Sequence, residues 1–349
     1  MTWTLSAATS FAQFAPAWHR LQQAGSGAPM LSVDFVAPLL AQFGTGKELL
    51  ARFERDGEIL AMALLTPQSR WTWSSFQPPQ APVGLWLAQP GLAWPPLLAE
   101  LLGALPGVAL QLALTQGDPM LAGRPPDQGR VRCLDYVRTA RIVVTGSFDA
   151  FWAQRGKNLR GNLKKQRSRL QKEGVALRLE MCREADQVAA AIADYGHLES
   201  TGWKGDAGTA VDAGNAQGRF YRQMLEAFCR NGNGSIYRYW FDEQLVSMDL
   251  CIEERDCIVI LKTSYAQQVA PGLSPSLLMR ETACQQLFAS ARFERIEFYG
   301  KVMEWHQRWS GDVRTLYHVN YYRWSWLGAL HALTRKICSW RPRTINAPP

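Results

Sequence analysis

The sequence predicts an α/β (α+β) fold in two tandem lobes, each a mixed, largely antiparallel sheet flanked by helices. Three observations predict it. The chain has 349 residues, 47% of them hydrophobic and 19% charged, enough apolar material for two cores and too little charge for general disorder. A hairpin pattern occurs twice: Arg52 to Leu64 reads RFERDGEILAMAL, and Arg238 to Leu250 reads RYWFDEQLVSMDL. Each is strand, acidic turn, strand, and each follows a helix-like stretch, near Val33 to Phe43 and Asn215 to Arg230. Strand and helix periodicities then alternate along the rest of the chain, as a layered α/β protein requires.

The first lobe is expected over residues 1–147. Apolar residues at helical spacing mark Phe11 to Gln23 and Val33 to Phe43. Strands are expected near Glu48 to Arg55, Glu58 to Leu65 and Arg70 to Phe76. A Pro-rich loop, a helix near Pro95 to Gly103, and strands near Val108 to Leu114 and Val131 to Val144 complete it. The second lobe, 148–323, opens with a helix from Asp149 to Lys172. Phe148, Trp152, Leu159, Leu163 and Leu170 fall on one stripe there, with Asp149 at the start and cations toward the end, as the helix dipole favours. A strand near Val175, a helix over Ala185 to Glu199, the repeated hairpin and its third strand to Thr263 follow. A helix from Pro275 to Ala289 and strands near Arg295 and Thr315 to Arg323 close the lobe. Residues 324–349 read as an amphipathic helix and tail, with Trp324, Trp326, Leu327 and Leu330 among cations. Such a segment can pack back on the lobes or lie in a membrane interface.

Charge is concentrated. The net charge is +8, and eight basic residues with no acid fall between Ala150 and Lys172, so the rest of the chain is neutral. A solvated face is the ordinary explanation of such a run. Binding of a phosphorylated ligand through Arg160 and Lys164, four residues apart on one helix face, also fits so dense a charge. Nucleic acid would need a broader patch with interleaved aromatics. The seven cysteines have no metal-ligand spacing, so no metal is expected. No stretch reads as a membrane span and the N-terminus lacks the pattern of a signal peptide, so the expected place is the cytoplasm, or the inner face of a membrane if the C-terminal helix docks there.

Three stretches carry candidate chemistry. LESTGWKGDAGTAV, Leu198 to Val211, is a Gly-rich loop holding Trp203 and Lys204, a composition that lets backbone approach a ligand. IVILKTSYAQQVAPGLSPSLLMRE, Ile258 to Glu281, runs a buried-looking strand into Lys262 and Tyr265. A turn with Gly272 and Ser274 follows, and then a helix start at Pro275 and Ser276. Free N–H groups at a helix start suit an anion such as a pyrophosphate. RIEFYGKVMEWHQRWSGD, Arg295 to Asp312, places His306 between tryptophans. Asp249 stands where the first hairpin has Ala63, a swap that suits a task as well as a solvated strand position.

These stretches, with RGKNLRGNLKKQRSRL before them, resemble the acyltransferases of bacterial cellulose and exopolysaccharide gene sets, a GNAT-superfamily group similar to the Fem-type peptidyltransferases. The resemblance spans about Phe148 to Arg323 and rests on the order of four motifs. Where that family has Ser-Pro-Gly, this chain has Ser274-Pro275-Ser276, and His306 stands where a lysine is usual.

The resemblance implies two GNAT-like lobes, with direct acyl transfer from acetyl-CoA or another acyl-CoA in the second. Gly272, Ser274 and Ser276 would hold the coenzyme. Tyr265 would protonate the leaving thiolate, Asp249 or Glu199 would relay the acceptor's proton, and Lys262 would stand beside them. Trp203, Lys204, Arg160, Lys164 and His306 would meet a saccharide or phosphorylated saccharide acceptor. Two alternatives stay open: a Fem-like transferase taking aminoacyl-tRNA, the one case that brings in nucleic acid, and a silent scaffold of a polysaccharide-synthesis complex.

Overall fold

Each hairpin foreseen from the sequence is present, and each carries one face into the same core. The computed structural model describes residues 2–25, 27–200 and 211–330. In the first lobe β1 (Thr2–Ala7), β2 (Leu49–Arg55), β3 (Glu58–Pro67), β4 (Thr72–Ser75), β5 (Trp86–Ala88), β6 (Gln111–Gly117) and β7 (Val131–Val143) are joined by α1 (Phe11–Ala24), α2 (Val33–Phe43) and α3 (Trp94–Ala104). The β2–β3 turn is Asp56-Gly57, both at positive φ, the geometry that matches a hairpin's twist. Met62 and Leu64 of β3 point into one core cluster, and their repeat partners Met248 and Leu250 point into the same cluster.

The second lobe holds α4 (Phe148–Ala153), α5 (Lys157–Lys172), β8 (Leu177–Cys182), α6 (Val188–Ser200), α7 (Ala216–Arg230), β9 (Gly234–Phe241), β10 (Gln244–Glu254), β11 (Cys257–Tyr265), α8 (Pro275–Ser290), β12 (Arg295–Phe298), α9 (Glu304–Trp309) and β13 (Val313–Tyr322). The helix expected from Asp149 to Lys172 is two helices. Gly156 has an extended ψ of 138° and starts the second, while the Arg155 side chain donates to the carbonyls of Phe151 and Trp309. Glycine is among the residues that most weaken a helix interior, by ~1 kcal/mol, and here the break lets α5 turn Leu159, Leu163, Gln166 and Leu170 inward.

Twelve strands follow one path in a single mixed sheet, β1-β2-β3-β4-β6-β13-β7-β12-β11-β10-β9-β8, with β5 paired to β3. Only β4–β6 and β11–β12 are parallel, and each of these pairs is joined through a helix, α3 in one lobe and α8 in the other. β7 of the first lobe pairs with β12 of the second, and β13 of the second pairs with β6 of the first. On one sheet face α1 and α2 meet α6 and α7 in one cluster, with Phe220 edge-on to Phe35 at 5.4 Å and to Phe43 at 5.6 Å. Truncating such a fully buried aromatic costs about 3–5 kcal/mol. The opposite face carries two separate clusters, one beneath α3 and one beneath α8. No helix of the described residues is long and apolar enough to cross a membrane.

Candidate active site

The site starts from a defect in a ladder. On β11, Lys262 pairs with Leu250 and Ile260 with Cys251, so Leu261 has no partner on β10. This β-bulge reverses the side-chain alternation, because an extra residue moves everything beyond it to the other face. Before it, Ile258 and Ile260 pack under α8, and Val259 packs under α6 and α7. Beyond it, Lys262 reaches the α6–α7 face and Thr263 the α8 face. The parallel ladder to β12 covers only Cys257 to Ile260, against Arg295 to Phe298. Past that point the two strands part, and the β11 backbone from Leu261 onward has no ladder partner on the β12 side. Those polar groups need partners.

On the α8 face lies a cleft of about 600 Å³, lined by Thr263, Tyr265, Ser274, Ser276, Arg280 and Trp305 among others. Tyr265 is 48% exposed at its mouth. Gly272, at φ +84°, turns the chain into α8, and Pro275 fills the first helical position. The Ser274 N–H donates to the buried Gln166 side chain at 2.8 Å, so its amide is spent. No described residue accepts from the Ser276 N–H, which stands at the helix start where an anion is favoured.

Beneath the cleft, Asp249 and Arg280 form a buried pair, Nη1 to Oδ2 at 2.6 Å and Nη2 to Oδ1 at 3.1 Å. Thr263 donates to Asp249 at 2.5 Å. The Arg280 guanidinium sits 5.3 Å from the Phe298 ring centroid. His306 is buried behind Trp305, stacked on it at 3.6 Å, and its Nδ1 accepts the Met303 N–H at 2.9 Å. Burial, then the charge of Arg280, lowers its pKa to about 4, so at neutral pH it is uncharged with its proton on Nε2.

On the α6–α7 face, Lys262 Nζ lies 3.4 Å from Glu199 Oε1, and 5.8 and 5.3 Å from the ring centroids of Tyr195 and Tyr221. Glu199 also accepts from the Tyr195 hydroxyl at 3.3 Å and from the Val211 N–H at 2.8 Å. Burial, with Glu199 beside them, raises the pKa of both tyrosines above the usual range, so they remain hydrogen-bond donors.

The structure thus brings Tyr265, Ser274 and Ser276 to one cleft, and Lys262 with Glu199 to the opposite face. Asp249 lies beneath the cleft with its carboxylate bound to Arg280. Arg160 and Lys164 are on α5, outside the cleft lining, and Arg160 Nε donates to the Arg155 carbonyl at 3.0 Å. Trp203 and Lys204 lie outside the described residues. The sequence reading passed over Arg280, Thr263 and Trp305. An arginine and a glutamate, Arg280-Glu281, in a helix otherwise apolar on most sides was the available signal for the first. Among the described residues no group of His, Cys, Asp and Glu is arranged to hold a metal.

Residues 157–307 match the family model described as the acetyltransferase (GNAT) domain. No curated protein matches by sequence. Among solved structures, the C-terminal domain of a protein assigned as a lysylphosphatidylglycerol synthetase from Agrobacterium fabrum is similar at 15% identity and TM-score 0.57. The match covers 93% of this chain and 96% of that one. L-PGS from Bacillus licheniformis is similar at 13% identity and TM-score 0.55, covering 93% and 97%. FemX is similar at 9% identity and TM-score 0.54, covering 95% and 99%. At such identities the likeness is one of fold. Residues 157–307 are thus a GNAT acetyltransferase-like domain, the domain of a transferase.

Proposed function

We propose that the chain transfers an acyl group, most simply acetyl, directly from a coenzyme A thioester in the α8-side cleft to an acceptor on the α6–α7 face. The proposed acceptor is an amine or hydroxyl of a saccharide or phosphorylated saccharide, a precursor of exopolysaccharide or cell envelope. One observation carries this reading: the Leu261 bulge sends Lys262 to one face and Thr263 to the other, at the point where β11 and β12 part. A thioester carbonyl lying in the gap is within reach of both sides. Glu199 takes the acceptor's proton as the new C–N or C–O bond forms. β11 N–H groups past Ile260, where the ladder to β12 ends, stabilise the oxyanion, and Tyr265 protonates the sulfur as the C–S bond breaks. The Ser276 N–H and hydroxyl suit a pyrophosphate, although Ser276 stands where the resembled family has glycine.

Native mass spectrometry and calorimetry of the full chain with acetyl-CoA test the proposal. One molecule bound per chain, weakened by Ser276→Asp, is expected. Absence of binding by acetyl-CoA and coenzyme A alike overturns the donor.

A second reading, an aminoacyl-tRNA donor as in Fem-type enzymes, is favoured by α5. Lys157, Lys164, Lys165 and Lys172 are exposed opposite its buried residues, and among the described residues none makes an ion pair. Arg160→Glu with Lys164→Glu separates the readings. Loss of a salt-dependent tRNA complex supports the second, whereas weaker saccharide-phosphate binding with donor affinity kept supports the first. Peripheral membrane contact through the C-terminal segment is also proposed. Its support is the exposed, stacked pair Trp324 and Trp326, on and just before a helical stretch at 325–330.

A further inference from the structure

Among the described residues the buried carboxylates are, with one exception, well supplied with donors. Glu253 is met by Arg183, Arg292 and the Ser235 hydroxyl. Glu48 receives the Thr45 N–H and hydroxyl and the Gly46 N–H. Asp118 takes the hydrogen bonds of Arg314 Nε and Nη2 together with that of the Tyr299 hydroxyl. Glu297 is the exception. It is 4% exposed, and its single close charge is Arg314 Nη1, 2.8 Å from Oε2 but outside hydrogen-bond geometry. Oε2 accepts no hydrogen bond of good geometry, and Arg314 is the one donor close to it.

Nor does the neighbourhood supply a spare cation. Arg314 is shared with Asp118. Arg141, directly across the β7–β12 ladder from Glu297, is paired to Asp312 at 2.7 Å, and Arg295 to Asp256 at 2.8 Å. Glu254 adds another negative charge. A buried carboxylate short of donors carries a desolvation penalty of several kcal/mol, and burial, outweighing the charges around it, raises the Glu297 pKa.

Glu297 does, however, line a cavity between the two lobes. The cavity has a volume of about 170 Å³ and is walled by Met30 and Leu121 of the first lobe and Val259 of β11, with Arg141, Arg295 and Glu254 at its polar parts. At ~30 Å³ per water it has room for about five or six heavy atoms.

We propose that this interlobe cavity binds a small ligand, or the small arm of a larger one, that carries a primary ammonium group paired with Glu297. The ammonium supplies the missing charge and three N–H donors, and the methionine and aliphatic wall takes a short carbon chain. The cavity opens on the same sheet face as Lys262, three residues further along β11 or ~10 Å by strand rise. The ammonium is therefore an anchor and not the reacting group. The inference stands whether the acyl donor is coenzyme A or tRNA, and its test uses no donor.

The probes are ethanolamine, its neutral analogue ethylene glycol, and glycine, at millimolar concentration and pH 7.5, followed by saturation-transfer NMR and thermal shift on the full chain. Ethanolamine should bind and ethylene glycol should not. Glu297→Gln should weaken ethanolamine at least tenfold while raising the melting temperature of the free protein, because the unmatched charge is gone. Val259→Phe, which fills the cavity and leaves Glu297 in place, should abolish binding too. Tighter binding of glycine than of ethanolamine identifies the ligand as an amino acid, its carboxylate on Arg141 or Arg295; the reverse identifies a simple amine. Equal binding of ethanolamine and ethylene glycol, binding unchanged in Glu297→Gln, or no binding of either ammonium probe overturns the proposal.

Discussion

Asp249→Asn should destabilise the protein by about 3–5 kcal/mol, because of what it leaves behind. Asp249 is 1% exposed and Arg280 3% exposed. Both carboxylate oxygens face the guanidinium, at 2.6 and 3.1 Å, and Thr263 completes the cluster. Asparagine keeps the shape and removes the charge, stranding a guanidinium in a packed interior, a change that costs about 3–5 kcal/mol in comparable buried pairs. Against a total stability of roughly 5–15 kcal/mol that is a large fraction. Urea denaturation followed by tryptophan fluorescence reads it directly. Asp249→Leu combined with Arg280→Met should recover most of the loss, because removing both charges leaves nothing unpaired. Arg280 lines the donor cleft, so the rescued protein should still bind the donor less well. A loss below about 1 kcal/mol in Asp249→Asn, with turnover falling instead, would refute this reasoning and return Asp249 to the proton relay that its sequence position allowed.

Two further outcomes follow from the site. His306 has a folded-state pKa lowered from 6.5 to about 4, so its stabilising contribution is complete above about pH 6.5 and is lost as pH falls toward 4; about 2–3 kcal/mol should disappear across that window. His306→Gln, which can still accept the Met303 N–H, should flatten that part of the stability profile, and an unchanged slope would contradict the assignment. Tyr265→Phe should lower turnover by ~100-fold or more at an unchanged melting temperature, since the ring is half-exposed and only the hydroxyl is lost; unchanged turnover removes Tyr265 from the mechanism.

What the sequence revealed was local. Asp56-Gly57 announces a hairpin by the φ values it permits, and the match between the two hairpin segments carried the repeat. Pro275 marks the start of α8. What it concealed depends on partners distant in the chain. Nothing in IVILKTSY shows that Leu261 will bulge, because a bulge is a relation between two strands. Read with strict alternation, Lys262 would follow Ile258 and Ile260 beneath α8. Arg280 was passed over because α8 is buried on several sides, so its charged positions break no visible stripe. The break at Gly156 lies inside the single apolar stripe of the sequence, and it goes with a partner of Arg155, the Trp309 carbonyl, more than 150 residues away.

The exchange of strands between lobes ties the first lobe to the site. Each lobe contains a parallel pair joined through a helix, and in each the next strand crosses over: β7 leaves the first lobe to flank β12, and β13 leaves the second to flank β6. β7 and β13 then pair with each other at the centre of the sheet. β12 is only four residues long and is held between β7 and β11. Where it stops, the gap in which the proposed reaction occurs begins, and the strand fixing its outer side belongs to the first lobe. A sheet so connected resists independent movement of its halves, because sliding one lobe would break the ladders on both sides of β7. The gap beside Leu261 and the cavity beside Glu297 are therefore set by one rigid set of strands. Glu297 lies on β12, the strand whose end defines the proposed active-site opening.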